Sequence, residues 1–195
     1  MKKLSLILVC ITLCTLFASC AGSAYTPGIT TENGYESDWL GLEFIPTDNM
    51  VMASADELEE MMDLTDEEKE NLDWSQITEA YEMMATDKDS GDVVVVMAEK
   101  LSDKSMTVEQ FVENLKGEIS GAGSEDSFEV NFSEYSEVNI AGKKYMRFEY
   151  EIPMYWITFR QVNFIRKLGD RMVVIMIASS NEGAEEMFLS CFKAK

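Results

Sequence analysis

Two short runs without a single polar residue, Val93 to Met97 and Met172 to Ile177, constrain this chain more than anything else in it. Side chains alternate across a strand with a period of two, so a strand apolar on both faces must be covered from both sides. Both runs are therefore expected as central strands. Tyr145 to Ile152 alternates instead, with Met146, Phe148, Tyr150 and Ile152 on one face and Tyr145, Arg147, Glu149 and Glu151 on the other. Ala80 to Ala85, Phe128 to Phe132, Glu137 to Ile140 and Tyr155 to Arg166 read as further strands, with turns at Asp87 to Asp92, Ala141-Gly142 and Gly169-Asp170. Tyr35 to Ser37 and Leu42 to Ile45 read as an opening hairpin closed off by Pro46, followed by an extended piece from Asn49 to Ala53.

Helix starts are marked by three capping boxes, Ser54-Ala-Asp-Glu57, Thr65-Asp-Glu-Glu68 and Thr107-Val-Glu-Gln110, in which a hydroxyl and a later carboxylate or amide satisfy each other's orphan backbone donors. After the third, Val108, Phe111, Val112, Leu115 and Ile119 fall on one stripe, which predicts a helix packed on the sheet and ending before a loop at Gly121-Ala-Gly-Ser124. Leu58, Met61 and Met62 give the first helix an apolar side; methionines at such spacing belong to a core, with an adaptable binding groove as the other reading. A last helix, capped by Ser180 or Asn181, carries Ala184, Met187, Phe188, Cys191 and Phe192 on one side.

The N-terminus has its own logic. Lys2 and Lys3 precede an apolar run from Leu4 to Phe17, shorter than the ~20 residues of a spanning helix, and then Ala18-Ser19-Cys20. The order resembles a bacterial lipoprotein signal, with Phe17 where Leu is usual. In that resemblance residues 1–19 are the signal peptide and the thiol of Cys20 takes a diacylglyceryl group before cleavage, so the partner implied is a lipid bilayer holding acylated Cys20 on the extracytoplasmic face of a bacterial membrane. Cleavage near Ala21 or Ala24, or an uncleaved anchor, are the competing readings. Two or more acyl chains hold a protein stably where one binds only reversibly. Residues 20–34, rich in Gly, Ser, Thr, Pro and Asn, are expected as a flexible tether with a reach of about 20 Å, leaving residues 35–195 as one domain.

Charge and missing residue types exclude several chemistries. The formal charge of -20 makes nucleic acid a poor partner. Fifteen acidic residues against Lys69 and Lys88 between Asp56 and Asp92 predict an acidic side, and Ile140 to Lys195 a mildly basic one. There is no His, and Cys191 is the one cysteine left in the domain once Cys20 is lipidated and Cys10 and Cys14 are gone with the signal. Histidine triads, His or thiolate metal sites and an internal disulfide all fall away. No phosphate loop occurs, and Gly121-Ala-Gly123 lacks the strand-to-helix setting of a dinucleotide fingerprint. A carboxylate pair is the remaining route to an enzyme. Asp87, Asp89 and Asp92 around Gly91 partly match a calcium loop, but Met97 stands where the bidentate Glu belongs.

Leu42-Glu-Phe-Ile-Pro46, Thr107-Val-Glu-Gln-Phe111, Ile140-Ala-Gly-Lys143 before a long hairpin, and Met187-Phe-Leu-Ser-Cys-Phe192 together resemble the PsbP-like superfold over about Tyr35 to Lys195. That family includes the extrinsic oxygen-evolving protein of photosystem II, a Ran-binding import factor and many bacterial lipoproteins. The resemblance implies an α+β domain, a single antiparallel sheet flanked by helices, and transfers no catalytic residue. The function expected is a membrane-tethered, non-enzymatic binding or assembly module without a cofactor, contacting a protein or envelope component. The alternatives are a carrier sheltering an apolar ligand between sheet and helices, lined by Tyr155, Trp156, Phe159 and the methionines, and a low-affinity divalent-cation binder on the acidic segment.

Overall fold

The computed structural model describes residues 24–62, 64–65, 72–126, 130–154 and 157–195. Cys20 and residues 1–19, expected as a signal peptide, the body of the second capping-box segment at 66–71, and Tyr155-Trp156 lie outside the described residues. In chain order the elements are β1 (Ile29–Thr31), β2 (Gly34–Ser37), β3 (Leu42–Phe44), β4 (Met50–Met52), α1 (Ala55–Met61), β5 (Glu79–Asp87), β6 (Val93–Lys100), α2 (Val108–Asp126), β7 (Asn131–Phe132), β8 (Ser136–Ile140), β9 (Lys143–Met154), β10 (Ile157–Leu168), β11 (Arg171–Ser179), α3 (Ala184–Cys191) and β12 (Phe192–Ala194).

The large sheet has the order β4-β5-β6-β11-β10-β9-β7, with β8 also paired to β9, and every pairing is antiparallel. The two all-apolar runs sit where expected, as β6 and β11 at its centre. Their alternation divides the core in two. Val173, Ile175 and Ile177 of β11 point with Val94 and Val96 of β6 toward one face, and Met172 and Val174 toward the other. Tight antiparallel connections explain the long C-terminal meander. At the β8–β9 turn Ala141 and Gly142 both take positive φ (48° and 77°), the pairing whose twist matches the flanking strands.

The expected antiparallel sheet flanked by helices is joined by a second, four-stranded sheet in the order β1-β2-β3-β12. Tyr35, Leu42 and Phe44 of this sheet, with Phe188 and Cys191 of α3, close the first core face. It assembles because Phe192 to Ala194 leave the last helix and pair with Phe44 to Leu42. On the opposite face α2 covers Phe148, Tyr150, Ile165 and Met172 with Phe111 and Val112. Lys116 fixes the far side of that helix: its ammonium lies 4.2 Å from the Tyr135 ring centroid and donates to the Tyr135 hydroxyl at 3.1 Å. The molecule is thus three layers, with β6 and β11 in the middle one.

Several sequence expectations need correction. The stretch 20–34 is not a free tether throughout: from Tyr25 it packs on the domain, and β1 pairs with β2, because Tyr25 and Gly28 find partners in the interior. The α2 helix runs through Gly121-Ala-Gly-Ser124 to Asp126, since an established helix adds each further residue by one more hydrogen bond. The α3 helix starts after Gly183, at φ 89°, with no side-chain cap; Asn181, proposed for that role, instead donates to Asp92. By contrast, the Ser54–Glu57 and Thr107–Gln110 boxes form with both reciprocal hydrogen bonds. Methionines 50, 52, 83 and 172 are core residues.

Candidate functional site

Arg160, at the start of β10, stands in register with Ser179 of β11 on one side and Glu151 of β9 on the other. This row ends the apolar core. Alternation places Arg147, Glu149 and Glu151 on the same β9 face as buried Tyr145, beyond the last large apolar side chains and beside the first turn of α3. The outcome is a cleft of about 910 Å³ between the ends of β9, β10 and β11 and the helix, lined by Glu151, Thr158, Arg160, Asn181, Glu186 and Leu189 among others.

One wall is an alternating ring of charges. Arg147 grips Glu185 through Nε at 2.8 Å and Nη2 at 2.9 Å, and also donates to Glu149. Arg160 grips Glu149 through Nε and Nη2, both at 2.9 Å, and its Nη2 reaches Glu185 at 2.9 Å. The four side chains are between 18% and 27% exposed, so the bonds are shielded enough to be geometrically strict. Arg160 holds the Glu149 carboxyl below its ordinary range, Arg147 does the same for Glu185, and both guanidiniums rise in return. A general acid needs the opposite shift, so these carboxylates are positioned as fixed charges. With Glu151, Glu182 and Glu186 the cleft carries more negative than positive charge.

The rim is tied to the acidic turn singled out in the sequence. Asp92 accepts hydrogen bonds from the Ser180 amide at 3.2 Å and from Asn181 Nδ2 at 3.0 Å. Asp87 Oδ1 accepts from the amides of Asp89 and Ser90 and from the Ser90 hydroxyl, and Asn49 Nδ2 bridges Asp87 and Asp89. Gly91, at φ 75°, supplies the sharp bend. The donors to Asp87 are those of a turn, amides and the Ser90 hydroxyl, with Asn49 added from a neighbouring segment. Among the described residues no group of three or more acidic or thiol ligands is arranged for a metal.

At the other end of the molecule lies a polar cluster the sequence did not announce. Register shifts between Tyr81 and Met83, so Glu82 is the extra residue of a β-bulge and both Glu82 and Met83 are buried. Glu82 Oε2 accepts from the Tyr35 hydroxyl at 2.6 Å and the Gly28 amide at 2.8 Å, and its backbone carbonyl from Thr30 Oγ1 at 2.6 Å. Arg171, only 1% exposed, donates to the carbonyls of Ala98 and Trp74 and lies 3.9 Å from the centroid of the Tyr25 ring. Burial, aided by the Glu82 charge, pushes the Tyr25 and Tyr35 phenols well above their ordinary value. Phe159, one of three residues expected to line an apolar chamber, sits between Thr158 and Arg160, so alternation turns it away from the cleft; Tyr155 and Trp156 are outside the described residues.

No protein-family model and no curated protein sequence matches this chain. Its fold is PsbP-like. The solution structure of cyanobacterial PsbP (CyanoP) from Synechocystis sp. PCC 6803 superposes on 89% of this chain and 99% of its own length, with a TM-score of 0.51 at 8% sequence identity. That likeness is one of architecture, carried by almost no shared residues.

Proposed function

We propose that the chain is an exported bacterial lipoprotein, anchored through acylated Cys20 on the extracytoplasmic face of a membrane, whose PsbP-like domain works by binding rather than by turnover. The observation that carries the reading is the cleft: its charged wall is locked in place by arginine–glutamate pairs, which suits recognition and removes Glu149 and Glu185 from acid–base work. The contact partner fitting this reading is a protein or envelope component with a complementary positive surface. Counting against the apolar carrier is the scarcity of apolar residues in the cleft, where Leu189 stands among glutamates, serines, Thr158, Arg160 and Asn181, with both apolar faces of the large sheet already filled.

Two measurements test it. A photo-crosslinking residue at Glu182, on the cleft rim, is expected to capture a specific partner in intact cells, while the same residue at Ser102, at the opposite end, captures none; equal labelling at both sites sinks the cleft assignment. Cys20→Ala is expected to leave an unprocessed precursor or released protein, and lipid labelling that persists in this variant sinks the anchor.

A further inference from the structure

We infer that Arg166 and the Tyr145 hydroxyl form a site for one small oxyanion, a carboxylate or a phosphate, at the end of the large sheet remote from the cleft. Arg166 follows Val162 and Phe164 on one face of β10, the face that meets the small sheet and α3. Tyr145 of β9 stands across from it, one step beyond the Ile165–Met146 pair, and the guanidinium carbon lies 5.9 Å from the centre of the Tyr145 ring. Arg160 of the cleft is six residue steps away on the same strand, about 20 Å.

Two buried donors here lack an acceptor. Tyr145 is 1% exposed and its hydroxyl has no hydrogen-bond partner; Arg166 is half-buried, and its inward nitrogen Nη1 has none either. Burial raises the phenol pKa, and the Arg166 charge beside it opposes that rise. A guanidinium only donates, so even a bond between the two would leave the phenol proton without an acceptor. The positive charge is equally unanswered. The other three arginines are tied down, Arg147 and Arg160 by Glu149 and Glu185, and Arg171 by the carbonyls of Ala98 and Trp74. Carboxylates around this end are engaged elsewhere: Asp38 with Lys195, Glu137 with Lys144, Asp170 with Lys104, Glu82 with Tyr35 and Gly28, and Asp73 with Ser75 beside Lys100. Glu79, Glu99 and Glu118 gather on the opposite face of the sheet. Lys143, two residues before Tyr145 on the same β9 face, adds a second cation, its Nζ 3.4 Å from where Gly41 would carry a Cβ. The formal charge of -20 is screened beyond about 10 Å, so Arg166 and Lys143 set the local potential. A water molecule could accept from both donors but would leave that charge unbalanced. An oxyanion does both, and its paired oxygens match the guanidinium fork.

The test titrates inorganic phosphate, and in a second series acetate, into the full chain in uncharged detergent, with ionic strength held constant by chloride. NMR follows the Arg166 side-chain N–H signals and the backbone amides of residues 144–146 and 165–167. Saturation in the millimolar range is expected, and the anion that saturates first tells a phosphate site from a carboxylate site. Arg166→Gln is expected to weaken binding at least tenfold; Arg166→Lys, which keeps the charge without the fork, and Tyr145→Phe, which keeps the ring without the hydroxyl, each weaken it several-fold. Hydrogen exchange on β10 and β11 should be unchanged in Tyr145→Phe, which separates loss of the hydroxyl from loss of the fold. Equal affinity in the wild type and Arg166→Gln would mean an adventitious ion only and overturns the site. Shifts that stay linear, with no saturation at tens of millimolar of either anion, overturn it too and leave the two donors to water.

Discussion

The Tyr35 hydroxyl donates a 2.6 Å hydrogen bond to Glu82 Oε2, and it can do so because the β5 bulge turns that carboxylate inward. Glu82 and Met83, neighbours in sequence, are thereby both made part of the core, together with the N-terminal segment that supplies the carboxylate's second donor.

Burial raises the Glu82 carboxyl above its ordinary 4.5, despite the bonds from Tyr35 and Gly28 that favour its charge. The folded state therefore binds this proton more tightly than the unfolded one. Its stabilising contribution is complete below the ordinary carboxylate value and is lost as pH rises through the raised one. Glu82→Gln, which keeps an acceptor for Tyr35, is expected to melt above the wild type at about pH 8 and to converge with it below about pH 4. Calorimetry across that range decides it; a variant that melts lower at alkaline pH would show that attraction to Arg171 outweighs burial.

The charge ring behaves in the opposite sense. Glu149 and Glu185 are lowered, so their contribution is present above the ordinary carboxylate range and disappears as pH falls through the lowered values. A double-mutant cycle of Arg147→Ala and Glu185→Ala is expected to give a coupling of about 1–2 kcal/mol near neutral pH, trimmed by the partial exposure of both groups. The coupling should vanish in acid. A value near zero at pH 7 would mean the ring is decoration.

Gly28→Ala forces a methyl group to within 2.2 Å of the Tyr35 ring and 2.8 Å of the Glu36 carbonyl. One or the other must move, at a cost of about 1–3 kcal/mol. Hydrogen exchange is expected to accelerate at residues 28–31 while β10 and β11 keep their protection. Unchanged exchange at residues 28–31 would contradict this close packing.

Phe188 is fully buried where α3 meets both sheets. Phe188→Ala should lower the unfolding free energy by about 3–5 kcal/mol in urea titrations. A loss under 1 kcal/mol would indicate that the helix is peripheral to the core, and with it the cleft wall it forms.

Calcium at millimolar concentration is expected to leave the melting temperature unmoved, since the oxygens of Asp87 and Asp92 already accept from turn amides and from Asn181. A rise of several degrees would reinstate the cation-binding alternative.

What could be read from the residues alone was whatever local periodicity encodes. Val93 to Met97 and Met172 to Ile177 announced β6 and β11, and the alternation from Tyr145 onward separated two faces of β9, of which the structure places the Phe148 face under α2 and the other with Arg147 and Glu149. Capping boxes located α1 and α2 because they are contacts three residues apart. Of the small sheet the hairpin of β2 and β3 was legible, but its completion by β12 was not, for Phe192 meets Phe44 across most of the chain and no short-range pattern records it. The bulge at Glu82 and the ring of Arg147, Glu149, Arg160 and Glu185 are hidden for the same reason. Nothing local in Tyr25 or Gly28 distinguishes a buried wedge from a linker.

Pairing of β12 with β3 has a consequence for the order of folding. One edge of β3, the inner strand of the small sheet, stays open until Phe192 to Ala194 reach it, and Lys195 then clamps onto Glu36 and Asp38 at 2.9 Å and 3.0 Å. This layer therefore closes through a contact between residues far apart in sequence, a slow, non-local step that leaves an unpaired strand edge exposed until it is made.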